Sequence, residues 1–278
     1  MKKGINQWAF SAGTTVSQAI RKAKQAGFDS IELCFEEKGE ISFDSKPDML
    51  SRIVSEAGSV GIEIASVATG ILWRHSLTSD DPALRDKGKQ AVKAMLKIAR
   101  ELGTDAILVV PGATMVPWMP EAGVVPYETA LQRARDAIGE LVKDAEKARV
   151  VIGLENVWNG MFLSPLELRD FVDSFGSEYV GAYFDVGNCV LTGRPEDWIH
   201  ILGSRITRVH MKDFRIAAGM HGFVGLLEGD VNWQAVMAAL KEIGYNGHLI
   251  AELGPYKYAP DVVLDHVSRS LDAIRAMG

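Results

Sequence analysis

The chain has 278 residues, of which 47% are hydrophobic and 24% charged, and its formal net charge is −6. This composition excludes a disordered protein, because such chains have fewer apolar residues and a larger charge imbalance. The acidic balance, with no long block of one sign, argues against a nucleic-acid or membrane-surface partner. No segment approaches the ~20 apolar residues of a membrane span. Two cysteines cannot form a disulfide framework, and no signal-peptide pattern is present, so we expect a cytoplasmic protein.

Eight short apolar segments alternate with longer amphipathic segments along the chain. The short segments are continuous apolar runs, which is typical of parallel strands that are buried on both faces. The predicted strands are Gly4–Trp8, Ser30–Cys34, Ile62–Val67, Ala106–Val110, Val150–Glu155, Tyr179–Asp185, Ile206–His210 and His248–Glu252.

The longer segments place apolar residues at helical spacing. The predicted helices are Thr15–Gly27, Lys46–Gly61, Pro82–Gly103, Tyr127–Ala148, Ser164–Phe175, Pro195–Leu202, Asn232–Ile243 and Pro260–Met277. Three segments repeat a helix end on glycine and a tight turn into the next strand, at Gly27, Gly103 and Gly244.

Eight strands and eight helices in strict alternation predict an α/β fold of the (β/α)8 TIM-barrel type. We expect a single catalytic domain over residues 1–278, because no linker or composition break divides the chain. A doubly wound open sheet is the main alternative. In its dinucleotide-binding form it would have a glycine-rich phosphate loop after the first strand, and residues 8–13 lack that pattern.

Each of the last four predicted strands ends in a residue that can bind a metal ion. These residues are Glu155, Asp185, His210 and Glu252. One charged residue after an apolar strand is commonly just the point where the strand leaves the core. Four such residues on consecutive strands would converge at the catalytic end of a barrel, where the three carboxylates would lie close together and repel one another. A divalent cation relieves that repulsion, and this oxygen-rich set favours Mn²⁺, with Mg²⁺ or Co²⁺ as alternatives.

Further polar and aromatic residues follow the predicted strands and are candidates for substrate binding. Trp8 and Trp158 could form apolar walls against a sugar, and Trp73 and His75 follow the third strand, although a packing role is an equal alternative for Trp73. Arg215 could bind a hydroxyl or a phosphate, or could be a solvated loop residue.

The sequence resembles the xylose-isomerase-like barrel family, and within it the sugar and sugar-phosphate 3-epimerases. The resemblance is carried by ordered motifs along nearly the whole chain. These motifs are Gly27-Phe28-Asp29-Ser30-Ile31-Glu32-Leu33, residues 77–103, Leu154-Glu155-Asn156, Phe184-Asp185-Val186-Gly187-Asn188, Val209-His210-Met211-Lys212-Asp213, Glu228-Gly229-Asp230-Val231-Asn232-Trp233 and Ile250-Ala251-Glu252.

The resemblance implies a metal held by Glu155, Asp185, His210 and Glu252, with the two glutamates also acting as acid and base. It further implies epimerisation or isomerisation of a ketose or ketose phosphate, by removal of a proton next to the metal-chelated carbonyl and through a cis-enediolate. Asn188 stands where the tagatose/psicose-type enzymes have a substrate-binding histidine, and Met161 stands where they have a second glutamate. Both departures weaken a transfer of free-hexulose specificity. The Asp185-Val186-Gly187-Asn188 and His210-Met211-Lys212-Asp213 motifs are more similar to those of pentulose-phosphate 3-epimerases.

Three other functions compete with this interpretation. A metal-dependent lyase or dehydratase on a keto-sugar or inosose would use the same proton abstraction and then expel a substituent. A DNA-repair enzyme of the endonuclease-IV-like type would need more histidines than the six in this chain and a basic surface. A non-catalytic sugar-binding barrel would need no paired acid and base. For the enzyme we expect a small sugar or sugar phosphate as the binding partner, and a homodimer or homotetramer.

Overall fold

The eight apolar segments form the eight parallel strands of a closed barrel in the computed structural model, which describes residues 1–278. Around the barrel the strand order is β1-β2-β3-β4-β5-β6-β7-β10, and β10 pairs with β1. These strands are β1 Lys2–Asn6, β2 Ser30–Cys34, β3 Glu63–Ala68, β4 Ala106–Val109, β5 Val151–Glu155, β6 Val180–Asp185, β7 Ile206–Met211 and β10 His248–Ala251. Two short antiparallel strands, β8 Asp213–Phe214 and β9 Phe223–Val224, form a separate hairpin after β7.

Helices connect the successive barrel strands and cover the barrel from outside. They are α1 Val16–Gln25, α2 Pro47–Val60, α3 Pro82–Leu102, α4 Tyr127–Ala148, α5 Pro165–Asp173, α6 Pro195–Leu202, α7 Trp233–Glu242 and α8 Val262–Arg275. This alternation confirms the predicted (β/α)8 TIM barrel. None of these helices combines the length and the apolar character that crossing a membrane requires.

The three repeated glycine turns have the backbone conformation that the sequence predicts. Gly27, Gly103 and Gly244 have φ angles of 85°, 75° and 72°, a left-handed region in which a β-carbon is strained. Each turn reverses the chain from the end of a helix into the next strand, so these glycines set the repeating helix-to-strand connection.

Several strand boundaries differ from the predicted ones by one or two residues, and the ends of the first and last barrel strands matter most because they lie at the catalytic end of the barrel. The first strand ends at Asn6, whose side-chain oxygen accepts a hydrogen bond from the Trp8 amide and so begins a short 3₁₀ turn. The last strand ends at Ala251, so Glu252 is the first residue beyond it. The Glu252 amide still donates to the Met211 carbonyl at 3.3 Å, which ties the residue to the neighbouring strand.

The barrel interior contains a polar layer as well as apolar side chains. Tyr183 points inward from β6, is fully buried, and its hydroxyl contacts Glu32 and lies 3.0 Å from Ser66. The Tyr183 ring fits because the neighbouring strand has Gly153. A β-carbon at that position would lie 2.9 Å from the ring and 3.1 Å from the Ile107 carbonyl oxygen.

We predict that Gly153→Ala lowers the free energy of unfolding by about 1–3 kcal/mol, because the added methyl group overpacks the barrel interior. Gly139→Ala is the matched control. Gly139 lies on the exposed face of α4, where a β-carbon meets no neighbour, so alanine should be neutral or stabilise by up to ~1 kcal/mol. Denaturant unfolding of both variants measures the difference, and equal stabilities would show that Gly153 is not needed for packing.

Candidate active site

The structure brings together the four side chains that end the last four barrel strands. Glu155, Asp185, His210 and Glu252, called the acidic cluster below, each offer a ligand atom within 4.8 Å of the others. Strand pairing explains this, because Asp185 lies beside His210 across β6 and β7, and His210 lies beside Ile250 on β10. The cluster is buried apart from Glu252, which is partly exposed.

His210 lies at the centre of the acidic cluster. Its Nδ1 atom lies 3.2 Å from Glu252 Oε2, 3.5 Å from Glu155 Oε1 and 3.9 Å from Asp185 Oδ2. Burial alone would lower the pKa of His210, but the Glu32 and Glu252 carboxylates raise it well above the usual value. In the metal-free protein the imidazole therefore carries a positive charge among these carboxylates.

Glu32 supports His210 from inside the barrel. It is fully buried on β2, and its Oε1 atom accepts a hydrogen bond from His210 Nε2 at 2.7 Å. Asn6 also donates to Glu32 at 2.6 Å, and Ser66 donates at the same distance. Burial would raise the pKa of Glu32, but His210 and these donors lower it. A carboxylate that binds one ring nitrogen fixes the orientation of the ring, so Nδ1 faces the other three carboxylates.

Lys212 is the second cation at the acidic cluster. Its Nζ atom lies 2.5 Å from Glu252 Oε2 and 3.2 Å from Asp185 Oδ2. Burial opposes the lysine charge, yet the neighbouring carboxylates raise the pKa of Lys212 above its usual value. The pKa of Glu252 is lowered. Burial alone would raise it, but the positive charges of Lys212 and His210 outweigh the effect of burial.

Asp185 is the most strongly buried carboxylate of the acidic cluster and is held in place by backbone and side-chain contacts. Its Oδ1 atom accepts from the Asn188 amide at 2.8 Å, and the Asn156 side chain bonds both the amide and the carbonyl of Asp185. Burial, with the charges of Glu252 and Glu155, raises the pKa of Asp185 to about 7. The charge of Asp185 is therefore costly even with the Lys212 ammonium 3.2 Å away.

The residues of the acidic cluster fit a divalent metal ion. Asp185 Oδ2, His210 Nδ1 and Glu252 Oε2 are buried ligand atoms that make no well-aligned hydrogen bond, and their close contacts are ion pairs with Lys212 or with one another. Buried polar atoms normally have aligned hydrogen-bond partners, so ligand atoms that converge without them are suited to a cation. Carboxylate oxygens with one imidazole suit Mn²⁺, Mg²⁺ or a similar ion, and the two cysteines, both buried and free, take no part.

A cavity of about 210 Å³ opens beside Glu155 and Glu252. Its walls are largely aromatic. The Trp73 and Trp118 rings meet edge to face with their centroids 4.9 Å apart, and the Trp158 and Phe223 rings make a tilted contact at 4.8 Å. Four of the residues predicted to bind substrate line the cavity, and they are Trp8, Trp73, Trp158 and Asn188.

The structure does not bring His75 and Arg215 to this cavity. His75 follows the 3₁₀ turn at Ile71–Trp73, and its Nε2 atom lies 2.9 Å from Glu37 Oε1. Arg215 is exposed, and its guanidinium donates to the Glu228 carbonyl in the loop between β9 and α7. Substrate binding by these two residues stays a prediction.

Sequence reasoning missed three residues of the site. Glu32 has a visible signal, because it is a charged residue inside a strand whose five residues are all buried. Trp118 and Phe223 have none. Trp118 lies in the loop between β4 and α4 and Phe223 lies in the short hairpin after β7, so both reach the cavity only through the path of the folded chain.

We predict that Glu32→Gln weakens Mn²⁺ binding by about 10–100-fold, because the His210 ring loses the carboxylate that orients it. Ser66→Ala is the matched control, since Ser66 contacts Glu32 at the other carboxylate oxygen and does not touch His210. Calorimetric titration with Mn²⁺ measures both affinities, and circular dichroism checks that both variants are folded. An unchanged affinity in Glu32→Gln would contradict the orienting role.

We also predict that Lys212→Met destabilises the metal-free protein by about 3 kcal/mol, because it leaves buried carboxylates without their ammonium partner. The loss should be smaller with saturating Mn²⁺, which supplies positive charge to the same carboxylates. Lys2→Met provides the control, since the exposed Lys2–Glu63 pair should contribute below ~1 kcal/mol in either condition. Denaturant unfolding with chelator and with Mn²⁺ tests this, and equal losses in the two conditions would count against it.

Comparison with known proteins places the chain in a family. The xylose isomerase-like TIM barrel family matches residues 20–274. L-ribulose-5-phosphate 3-epimerase UlaE from Salmonella paratyphi C (strain RKS4594) is 25% identical over 253 residues, covering 90% of this chain and 86% of the relative. The protein of the same name from Escherichia coli (strain SE11) is 26% identical, and the match again covers 90% of this chain and 86% of the relative.

Solved structures agree with this placement at the level of the fold. The D-psicose 3-epimerase from Clostridium cellulolyticum H10, solved with D-tagatose, has a TM-score of 0.79 and 20% identity, and the comparison covers 100% of this chain and 99% of that chain. A structure of L-ribulose 3-epimerase has a TM-score of 0.81 and 17% identity, and the comparison covers 99% of this chain and 94% of that chain. The chain therefore belongs to the xylose isomerase-like TIM barrel family.

Proposed function

We propose that the protein is a divalent-metal-dependent epimerase of a ketose or ketose phosphate. The observation that carries this proposal is the placement of Glu155 and Glu252. Both belong to the acidic cluster, and both line the cavity that is large enough for a small sugar. Around the barrel, Asp185 and His210 lie between them, so the two glutamates flank the site from β5 and from the end of β10.

This arrangement suits inversion at a carbon next to a carbonyl group. One glutamate removes the proton from that carbon, and the other returns a proton to the opposite face of the planar intermediate. Glu155, Asp185, His210 and Glu252 would hold the metal, which supplies Lewis-acid stabilisation of the charge that develops on the substrate oxygen. The aromatic walls exclude water from the reacting carbon, and Asn188 offers an amide at the cavity wall.

The relatives support the same class of reaction. The two UlaE proteins are named as 3-epimerases of a ketose phosphate, and the similarity extends over most of both chains. A lyase or dehydratase on a keto-sugar would begin with the same proton removal and differ only in the loss of a substituent. The single-domain organisation, the oligomeric state, the cytoplasmic location and the choice of Mn²⁺ stay predictions.

We predict that the Mn²⁺-loaded protein exchanges the C3 proton of its ketose substrate in D₂O, as followed by NMR. Glu155→Gln and Glu252→Gln should each lower turnover by at least about 100-fold, because an amide can neither accept nor return the proton. Metal content is measured in each variant, so that a lost acid or base is distinguished from a lost ligand.

His210→Asn is the comparison variant for this experiment. It should mainly weaken Mn²⁺ affinity, so that raising the metal concentration restores part of the turnover. Near-normal turnover in both glutamine variants would show that the acid and base are assigned to the wrong residues. Release of a substituent in place of simple exchange would favour the lyase.

A further inference from the structure

We infer that the substrate is an uncharged sugar and that the site does not recognise a phosphate ester. This inference rests on the proposed function and narrows its substrate class. Phosphate recognition in proteins uses Arg or Lys side chains, helix N-termini or clusters of free backbone amides. Around this cavity the Lys212 ammonium group and three amides of the loop after β7 are engaged by carboxylates of the protein.

The cationic side chain at the cavity is Lys212. It lines both the inner cavity and an adjoining outer cavity of about 440 Å³, which also contains Trp8, Phe223 and Tyr256. Its ammonium group already contacts Glu252 and Asp185. With a divalent metal in the acidic cluster, the three carboxylates are balanced by the metal and this single ammonium. No positive charge is left over for a phosphate dianion.

The loop after β7 is where many barrels bind phosphate, and here three of its amides already bind a carboxylate of the protein. Asp213 is fully buried, and its carboxylate accepts hydrogen bonds from the amides of Leu227, Gly229 and Val231 at 2.9, 3.2 and 3.3 Å. The Trp233 indole donates to the same carboxylate at 3.1 Å. The protein therefore fills this amide cluster with its own anion.

The neighbouring elements are also unsuited to an anion. The helix that follows the last barrel strand has Asp261, which pairs with Lys22, at its N-cap and Asp265 in its first turn, so two acidic side chains lie at its N-terminus. A further cavity beside Trp73 contains Lys38 and Arg74, but Glu36 and Glu37 face the same space. The charges of these four side chains cancel.

The walls themselves favour an uncharged sugar. Trp8, Trp73, Trp118 and Trp158 surround the cavity together with Phe223. Aromatic faces bury large apolar area and pack against the C–H faces of a sugar ring or chain, whereas a phosphate dianion would lose its hydration against them without compensation.

The test compares pairs of substrates with the Mn²⁺-loaded protein. D-ribulose, L-ribulose and D-fructose are each measured against their terminal phosphate esters, with kcat/KM taken from C3 proton exchange in D₂O. For the pair that reacts fastest, we expect a larger kcat/KM for the free ketose, by about tenfold or more. An equal or larger kcat/KM for the ester overturns this inference and leaves the proposed epimerase intact. Absence of exchange in every pair overturns both.

Two matched variants test the electrostatic argument separately. Tyr256 lines the outer cavity and has no contact with the acidic cluster, so it can be replaced without altering the ligand set. Tyr256→Arg should shift the preference toward the ester by about tenfold relative to Tyr256→Gln, because it adds an uncommitted guanidinium. If the ratio of kcat/KM for the free ketose to kcat/KM for the ester is the same in both variants, the claim that missing positive charge excludes the phosphate is wrong.

Discussion

The site depends on the neutralisation of three carboxylates that the barrel closes into one small space. Glu155, Asp185 and Glu252 are brought together by strand order, and the barrel cannot separate them without breaking strand pairing. Like charges at this distance raise one another's pKa and favour protonation. His210 and Lys212 provide internal positive charge, yet three ligand atoms still make no well-aligned hydrogen bond. A bound cation would complete this balance, so metal binding and local stability would depend on the same electrostatic requirement.

The supporting layer lies deeper in the barrel. His210 bonds Glu32, Glu32 contacts Tyr183 and Ser66, and the Tyr183 ring fills the space that Gly153 leaves open. This chain of contacts crosses the barrel from β7 through β2 to β6. It holds a charged pair in the interior, where an unpaired charge would be strongly destabilising. A glycine in β5 therefore affects the orientation of an imidazole that it does not touch.

The fold and the acidic cluster could be predicted from the sequence. The fold follows from the hydrophobic periodicity, and the cluster follows from the residues at the strand ends. Apolar runs identify the strands, and the last polar residue of each run faces the catalytic end whichever loop follows. Even where the last strand ends one residue early, Glu252 reaches the cluster. His75 and Arg215 show the limit of this reasoning, since the direction of a loop side chain depends on partners such as Glu37 that no local pattern identifies. Trp118 also lies on a loop, and no local sequence pattern predicts its place in the cavity wall.

This division between strands and loops also bears on what the similarity to other proteins means. The acidic cluster is carried by strand ends, which low sequence identity can preserve because the barrel itself fixes their positions. The cavity walls are carried by loops, where Trp118 and Phe223 meet Trp73 and Trp158. A shared reaction and a different substrate are therefore compatible within one barrel. The charge around the cavity, where Lys212 is taken by two carboxylates and Asp213 occupies the loop amides, is then a better guide to the substrate than overall identity.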